Sequence, residues 1–251
     1  MDLYNRLTGR TGFNASPATL LKMTDLDPRV QKHLSKVYAT LTLAAGVAAL
    51  GVAADLALHV GGVLTGLASL VSLIWLGFTP STPDTLNKRY ALLATFAFCQ
   101  GTSLGGLVGL ALALNPGILL TACLATVAVF GCFTLSALFT RRRSYLFLGG
   151  WLSSAVLGLF VLRLGSWVFR GLGGVALDAE LYLGLLVFSG YVLFDTQLIV
   201  ERASSAGDAD HVRHALDLFV DAYAILTRVL VVLLRSQEKR EREEARRKRR
   251  D

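Results

Sequence analysis

The sequence predicts an all-α integral membrane protein: a bundle of six transmembrane helices plus a seventh C-terminal helix that spans or re-enters. Of the 251 residues, 53% are hydrophobic and 17% are charged, with a mean hydropathy of +0.54, whereas a soluble domain has about 25% charged residues. No Asp, Glu, Lys or Arg occurs from Tyr90 to Thr140, a run long enough for two crossings of about 20 residues each. Further apolar stretches of similar length follow short polar segments along the chain. These observations exclude a water-soluble fold and leave no room for a soluble catalytic domain.

The chain is expected to form a single multi-span membrane domain at 37–235. A cytoplasmic N-terminal segment at 1–36 precedes this domain, and a basic C-terminal tail at 236–251 follows it. Because backbone groups in the hydrocarbon region must be satisfied internally, each apolar stretch is predicted to be a helix. The first six stretches lie at about 37–58, 60–79, 90–113, 117–139, 145–162 and 180–200.

Lys and Arg residues in the short loops predict the orientation. The second loop contains Lys88 and Arg89, and the fourth contains Arg141, Arg142 and Arg143, whereas the first and third contain no basic residue. The N-terminus and the second, fourth and sixth loops are therefore expected to lie in the cytoplasm.

The seventh stretch, at about 215–234, is exceptional because it is apolar but carries Asp217, Asp221 and Arg228. If it crosses the bilayer, the nine Lys and Arg residues from Arg235 to Arg250 lie on the non-cytoplasmic side, against the charge rule. Charge alone therefore predicts a cytoplasmic tail and a segment that does not fully cross.

Small residues predict one packing face. Gly101, Gly105 and Gly109 recur at every fourth position of the third stretch, and small residues at this spacing let two helix backbones approach closely. This pattern indicates helix packing and says nothing about a substrate.

The three cysteines predict neither a disulfide framework nor a structural metal site. Cys99, Cys123 and Cys132 fall inside apolar runs, with no CxxC and no Cys/His grouping. They are expected to be small core residues, and no cofactor is expected.

Two acids are the strongest functional candidates. Asp195 lies near the cytoplasmic half of the sixth stretch and Asp221 lies seven residues into the seventh, and an ionisable residue inside a membrane helix is a functional hypothesis by default. The helical lengths from each acid to the turn between them are similar, so the two carboxylates can meet at one depth. The alternative is that a hydroxyl, an amide or an Arg satisfies each acid separately.

If the two acids meet, like charge and low dielectric both oppose the doubly ionised state, so the pair shares one proton near neutral pH. A protonated pair would tie the sixth helix to the seventh, whereas an ionised pair would repel, admit water and offer oxygens to Ca²⁺. His214, Asp217 and Arg228 share one helical face with Asp221. We hypothesise that Asp217 pairs with His214 and that Arg228 neutralises an Asp; the alternative for His214 is a solvated interfacial imidazole.

The C-terminal tail is predicted to be a solvated helix with no apolar stripe. It could contact anionic membrane lipids or an acidic partner such as a calcium sensor, and the alternative is an orientation and retention signal. Its candidate contact residues are Lys239, Arg240, Arg246, Arg247, Lys248, Arg249 and Arg250.

Three motifs resemble those of a known family: FTLSAL at 133–138 running into RRRSYLFLGG at 141–150, FDTQ at 194–197, and DLFVD at 217–221. Over nearly its whole length the chain resembles the Bax inhibitor-1 proteins, the founding eukaryotic branch of the transmembrane Bax inhibitor motif family. The resemblance implies an endoplasmic-reticulum protein that suppresses stress-induced cell death and lowers luminal Ca²⁺ by a pH-sensitive leak. It places the di-aspartyl pair of the family on Asp195 and Asp221, and it suggests anti-apoptotic membrane proteins as partners.

The chain departs from the bacterial relatives in one respect. Those relatives have an acid and an Arg in the second span that engage the aspartate pair, whereas the run from Val60 to Thr79 has neither. The resemblance therefore does not extend to that contact.

The sequence thus predicts a proton-gated cation leak that regulates cell death, with Ca²⁺ as the permeant ion, no enzymatic activity and no nucleic-acid partner. One rival is a non-conducting scaffold or modulator that binds cell-death and calcium-handling partners. Another is an intramembrane aspartyl protease, but no GxGD motif surrounds Asp221.

Overall fold

The computed structural model describes residues 27–139, 147–168, 173–205 and 210–248. These ranges contain α-helices, one short 3₁₀ helix at Pro83–Thr85 and the turns between them, and no strand, which confirms the all-α class. The α-helices are α1 Pro28–Leu58, α2 Val63–Phe78, α3 Leu86–Leu114, α4 Pro116–Phe139, α5 Leu148–Val168, α6 Gly173–Ser204 and α7 His211–Lys248.

Five helices are long and apolar enough to cross a membrane, which confirms a multi-pass membrane protein. These spans are Pro28–Leu58, Pro83–Leu114, Pro116–Phe139, Leu148–Gly165 and Leu177–Ser204. The helix α2 is also apolar but has 16 residues, or about 24 Å at 1.5 Å per residue, which is less than the roughly 30 Å of a hydrocarbon core.

The first helix begins at Pro28, nine residues before the predicted apolar stretch. The side chain of Asp27 accepts a hydrogen bond from the Arg29 backbone N–H at 2.8 Å, and proline suits the first helical position because its missing N–H would have no partner there. The residues at 28–36 therefore form the first turns of α1, so the end of the predicted 1–36 segment is helical. Residues 1–26 of that segment lie outside the described ranges.

The turn between α1 and α2 is fixed by Asp55. His59 ends α1 in the left-handed conformation with φ 52°, and its N–H donates to the Asp55 carbonyl oxygen at 2.8 Å. The Asp55 side chain accepts a second hydrogen bond from the Gly61 N–H at 2.6 Å. One acid near the end of an apolar helix thus holds the reversal of the chain.

The last helix, α7, lies at the centre of the bundle. Three apolar clusters form the core: one joins α1, α2 and α3 to α7, a second joins α3 and α4 to α7, and a third joins α1 and α6 to α7. Leu218, Ile225 and Leu230 on α7 are fully buried. Because other helices surround it, α7 can carry charged residues that would be costly against lipid.

The two ends of α7 lie at opposite ends of the bundle. We call the end where Asp210 contacts Arg89 the Asp210 end, and the end where Arg235 contacts Asp178 at 2.6 Å the Asp178 end. The backbone of α7 runs as one helix of 38 residues between and beyond these contacts. No break interrupts α7 at which the chain could turn back, and burial among other helices accommodates its charges; that the tail is cytoplasmic stays a prediction.

If α7 crosses the membrane, the two termini lie on opposite sides of it. The chain enters α1 at the Asp210 end, where His33 contacts His214, and leaves α7 beyond the Asp178 end. With a glycosylation acceptor fused either before Met1 or after Asp251, we expect microsomes to modify one fusion and not the other. Modification of both fusions, or of neither, would contradict the crossing. Acceptors placed one at a time in the turns between the helices would serve as the control.

The cysteines do not all lie in the core. Cys99 is buried in α3, as predicted, but Cys123 and Cys132 are exposed on α4. The prediction of core positions is therefore wrong for these two, because a sulfhydryl group is apolar enough to lie on the lipid-facing surface as well.

Candidate functional site

The structure brings Asp195 and Asp221 together. Asp195 lies on α6 and Asp221 on α7, these helices pack along each other, and the two carboxyl groups are in hydrogen-bonding contact. Asp221 is 3% exposed and Asp195 is half-buried. The Asp221 Oδ2 atom is buried and accepts no hydrogen bond from the described residues.

The FDTQ motif on α6 directs its other polar groups away from this contact. The Thr196 hydroxyl donates to the Val192 carbonyl oxygen at 2.6 Å, one turn back along the same helix. The Gln197 amide donates to the Ala137 carbonyl oxygen of α4 at 3.4 Å. Asp195 is thus left to face α7.

His214 contacts α1 rather than Asp217. Its Nδ1 atom lies 2.9 Å from Nε2 of His33, and the two rings pack edge to face. His214 is 2% exposed, so both hypotheses for it, the pair with Asp217 and the solvated imidazole, are wrong. The reason is that the first turn of α7 packs against α1, a helix whose polar start the sequence placed in a separate segment.

Asp217 lies one helical turn before Asp221 and is half-buried. Among its charged neighbours, Arg213 acts on it most strongly. Asp217 therefore lies between an exposed cation and the buried aspartate pair.

Arg228 does not neutralise an aspartate. Its guanidinium donates to the carbonyl oxygens of Ala224 at 2.9 Å and Glu180 at 3.3 Å, and it lies 4.5 Å from the centre of the Phe188 ring. Seven residues separate Arg228 from Asp221, or about 10 Å along the helix axis. The predicted neutralisation is wrong because backbone carbonyls and an aromatic face hold the cation nearer the Asp178 end.

Arg89 and Asp210 form a buried ion pair that the sequence did not reveal. Arg89 is 4% exposed, although the sequence suggested a loop charge that sets orientation. The Asp210 carboxylate also accepts a hydrogen bond from the Arg213 backbone N–H at 3.1 Å, so it caps the start of α7. This pair fixes the Asp210 end of α7 to α3.

A second contact between α3 and α7 joins Tyr90 to His211. The Tyr90 hydroxyl lies 2.8 Å from Nε2 of His211. Which of the two groups donates depends on the tautomer of the imidazole.

The glycine face of α3 contacts α1. A Cβ added to Gly101 would lie closer than 3.0 Å to the Ala48 backbone, one added to Gly105 would meet the Asp55 side chain, and one added to Gly109 would meet Leu56. Gly51 of α1 likewise lies against the backbone of Phe98 in α3. The close crossing thus uses a glycine from each helix, and the sequence had revealed only the glycines of α3.

The basic tail continues α7 as an exposed helix to Lys248. Arg242 pairs with Glu238 at 3.9 Å on its surface. Arg249 and Arg250 lie outside the described residues. The exposed candidates are Lys239, Arg240, Arg246, Arg247 and Lys248.

The aspartate pair does not form a closed metal site. Among the described residues, no group of three or more His, Cys, Asp and Glu side chains is placed to hold a metal ion. Two carboxylates supply at most four oxygens, whereas bound Ca²⁺ takes six to eight ligands. The aspartate pair alone therefore does not complete the ligand shell of a bound Ca²⁺.

The fold and the site define a multi-pass helical bundle with an aspartate contact between α6 and α7, and comparison with known proteins identifies its family. The family model described as "Inhibitor of apoptosis-promoting Bax1" matches residues 30–239. The protein named Bax inhibitor 1 from Homo sapiens is 44% identical over 246 residues, covering 97% of this chain and 99% of the relative. The Bax inhibitor 1 from Mus musculus is 46% identical, covering 97% of this chain and 99% of the relative. The one from Oryza sativa subsp. japonica is 40% identical, covering 99% of this chain and 100% of the relative. The chain belongs to the Bax inhibitor family of cell-death suppressors.

Proposed function

We propose that this protein suppresses stress-induced cell death from the endoplasmic-reticulum membrane by acting as a pH-sensitive Ca²⁺ leak, with Asp195 and Asp221 as its latch. The single observation that carries the proposal is the contact of the two carboxyl groups between α6 and α7, with Asp221 inside the bundle. Membership of a family of cell-death suppressors supports the physiological role.

The latch follows from the electrostatics of two adjacent carboxyl groups. Two like charges about 4 Å apart repel by about 4 kcal/mol at an effective dielectric constant of 20. One shared proton removes this repulsion and adds a hydrogen bond between α6 and α7. Loss of that proton separates the helices, admits water and exposes carboxylate oxygens to Ca²⁺, so the leak is expected to increase as pH rises through neutrality.

The proposal is tested by Ca²⁺ efflux from liposomes that contain the purified protein. We expect efflux above that of protein-free liposomes, with a rate that rises between about pH 6 and pH 8, well above the value near 4 of an isolated carboxyl group. Efflux equal to that of empty liposomes at every pH would show that the protein is not a leak by itself. A fluorescent fusion that co-distributes with an endoplasmic-reticulum marker would support the proposed location.

The exposed basic helix favours a second candidate function, that of a non-conducting scaffold or modulator. The helix from Lys239 to Lys248 projects beyond the packed bundle and could bind membrane lipids, anti-apoptotic membrane proteins or a calcium sensor. In this case, protection of stressed cells would survive loss of the aspartate pair and would fail when the basic residues of the tail are replaced by Gln. Neither proposed function involves catalysis.

A further inference from the structure

A cavity of about 380 Å³ opens at the Asp210 end of the bundle, between α2, the turn that follows it, the start of α3 and the start of α7. Its apolar wall comes from α2 and α7, and its polar lining includes the side chains of Ser81, Arg89, Asp210, Arg213 and Asp217. A space of this size and polarity admits several water molecules. It is therefore a water-accessible recess that reaches into the helical bundle.

The cavity leads toward the aspartate pair. Asp217 lines it, and Asp221 follows one turn later on the same face of α7, about 6 Å along the helix axis. The buried Oδ2 atom of Asp221 lies beyond this turn. A hydrated cation in the cavity is thus one helical turn from the proposed latch.

The charges of the cavity balance one another. The buried Arg89 is neutralised by its ion pair with Asp210, and Arg213 offsets Asp217. Arg213 differs from Arg89 in that its side chain is exposed and no ion pair with another described residue holds it. Its charge is therefore the one that can be changed without opening a buried contact.

We propose that this cavity is the vestibule through which a hydrated divalent cation passes to or from the aspartate pair, and that the guanidinium of Arg213 limits the flux by opposing cations there. The inference rests on the proposed leak, and it adds the route that the cation takes and a residue that limits the flux at one end of that route. Removing the charge of Arg213 leaves Asp217 with only the more weakly acting Arg202 as a compensating cation and makes the cavity more attractive to cations.

The test compares initial Ca²⁺ efflux rates from liposomes that contain the wild type, Arg213→Gln or Arg213→Glu. One unit charge about 10 Å from a divalent ion in water changes the rate roughly three- to fivefold. We expect an increase of this size for Arg213→Gln and a larger one for Arg213→Glu. The increase should be present in about 10 mM salt and largely lost in about 1 M salt, where the Debye length falls from about 30 Å to about 3 Å.

Lys32→Gln is the matched control. Lys32 is an exposed cation on the first turns of α1 at the same end of the bundle, and it does not line the cavity. We expect its efflux rate to remain close to that of the wild type. An equal increase for Lys32→Gln and Arg213→Gln would overturn the inference, because it would assign the effect to the general surface potential.

Chemical labelling gives an independent readout of the same route. Ser81 is exposed and lines the cavity, whereas Ser205 is exposed in the turn before α7 and does not line it. A cationic methanethiosulfonate reagent applied to both sides of the membrane should slow Ca²⁺ efflux severalfold in Ser81→Cys. Ser205→Cys and the wild type, with its native cysteines, should keep their rates, and a reducing agent should restore the rate of Ser81→Cys. Unchanged efflux in fully labelled Ser81→Cys would overturn the route.

The outcomes separate this inference from the proposed function. If the wild type leaks and depends on Asp221, but both Arg213 variants keep the wild-type rate at low salt, the vestibule is overturned and the leak stands. If the wild type does not leak, the proposed function fails and the vestibule is overturned with it.

Discussion

Replacing Asp221 with Asn is expected to abolish the change in Ca²⁺ efflux between about pH 6 and pH 8. The substitution keeps the size of the side chain but removes one of the two groups that share a proton. The Asn amide can donate a hydrogen bond to the Asp195 carboxylate in place of that proton, so we expect a flat profile near the low-pH rate of the wild type. The measurement is the initial efflux rate from liposomes at a series of pH values.

Asp217→Asn is the matched control for this experiment, because Asp217 lies one turn away on the same helix and its substitution leaves both members of the aspartate pair in place. Its efflux should still rise with pH, with a midpoint moved to lower pH because one negative charge near Asp195 is removed. A wild-type profile in Asp221→Asn would remove the aspartate pair from the mechanism. In stressed cells, protection should be lost together with the leak, whereas protection that persists in Asp221→Asn would favour the scaffold.

Replacing Gly101 with Ala is expected to destabilise the bundle by about 1–3 kcal/mol, the typical cost of overpacking a tight contact. The added Cβ would clash with backbone atoms of Ala48, which cannot move without displacing α1. Gly106→Ala is the matched control in the same helix, because no atom lies within 4 Å of its added Cβ. We expect thermal unfolding in detergent to occur at a lower temperature for Gly101→Ala and at an unchanged temperature for Gly106→Ala.

Gly105→Ala should destabilise the bundle about as much as Gly101→Ala in the same assay. Its Cβ would meet the Asp55 side chain, including the Asp55 Cβ at 2.5 Å, which side-chain rotation cannot move, so relief requires a backbone shift and also disturbs the hydrogen bond from Gly61 to Asp55. Equal unfolding temperatures for Gly101→Ala and Gly106→Ala would show that the backbone crossing of α1 and α3 does not contribute to stability.

The fold class was predictable from the sequence because the hydrocarbon core of a membrane restricts the structures that an apolar chain can form. In a charge-free run such as 90–140, helices satisfy the backbone hydrogen bonds internally, so the class and the order of the helices follow from composition. The first and last residues of the helices were less predictable. α1 starts at Pro28 because Asp27 caps it, and hydropathy carries no information about caps.

The site was predictable only where chain geometry constrains it. Asp195 and Asp221 lie at similar distances along the chain from the segment that joins α6 to α7, so both carboxyl groups reach the same depth in the bundle. Arg89 and Asp210 are 121 residues apart in the chain, and a single sequence contains no signal that pairs them. Asp55 differs from these: it is a lone acid near the end of an apolar run, and such a residue should have been treated as a candidate.

The position of α7 at the centre of the bundle has a consequence for biogenesis. The ribosome synthesises α7 last, yet residues from this helix belong to all three apolar clusters. Until α7 is inserted, α1 and α3 can pack through their glycine crossing, but none of the three apolar clusters is complete. The core is therefore closed only when the last helix arrives, and a chain truncated before His211 would expose the apolar side chains that α7 covers.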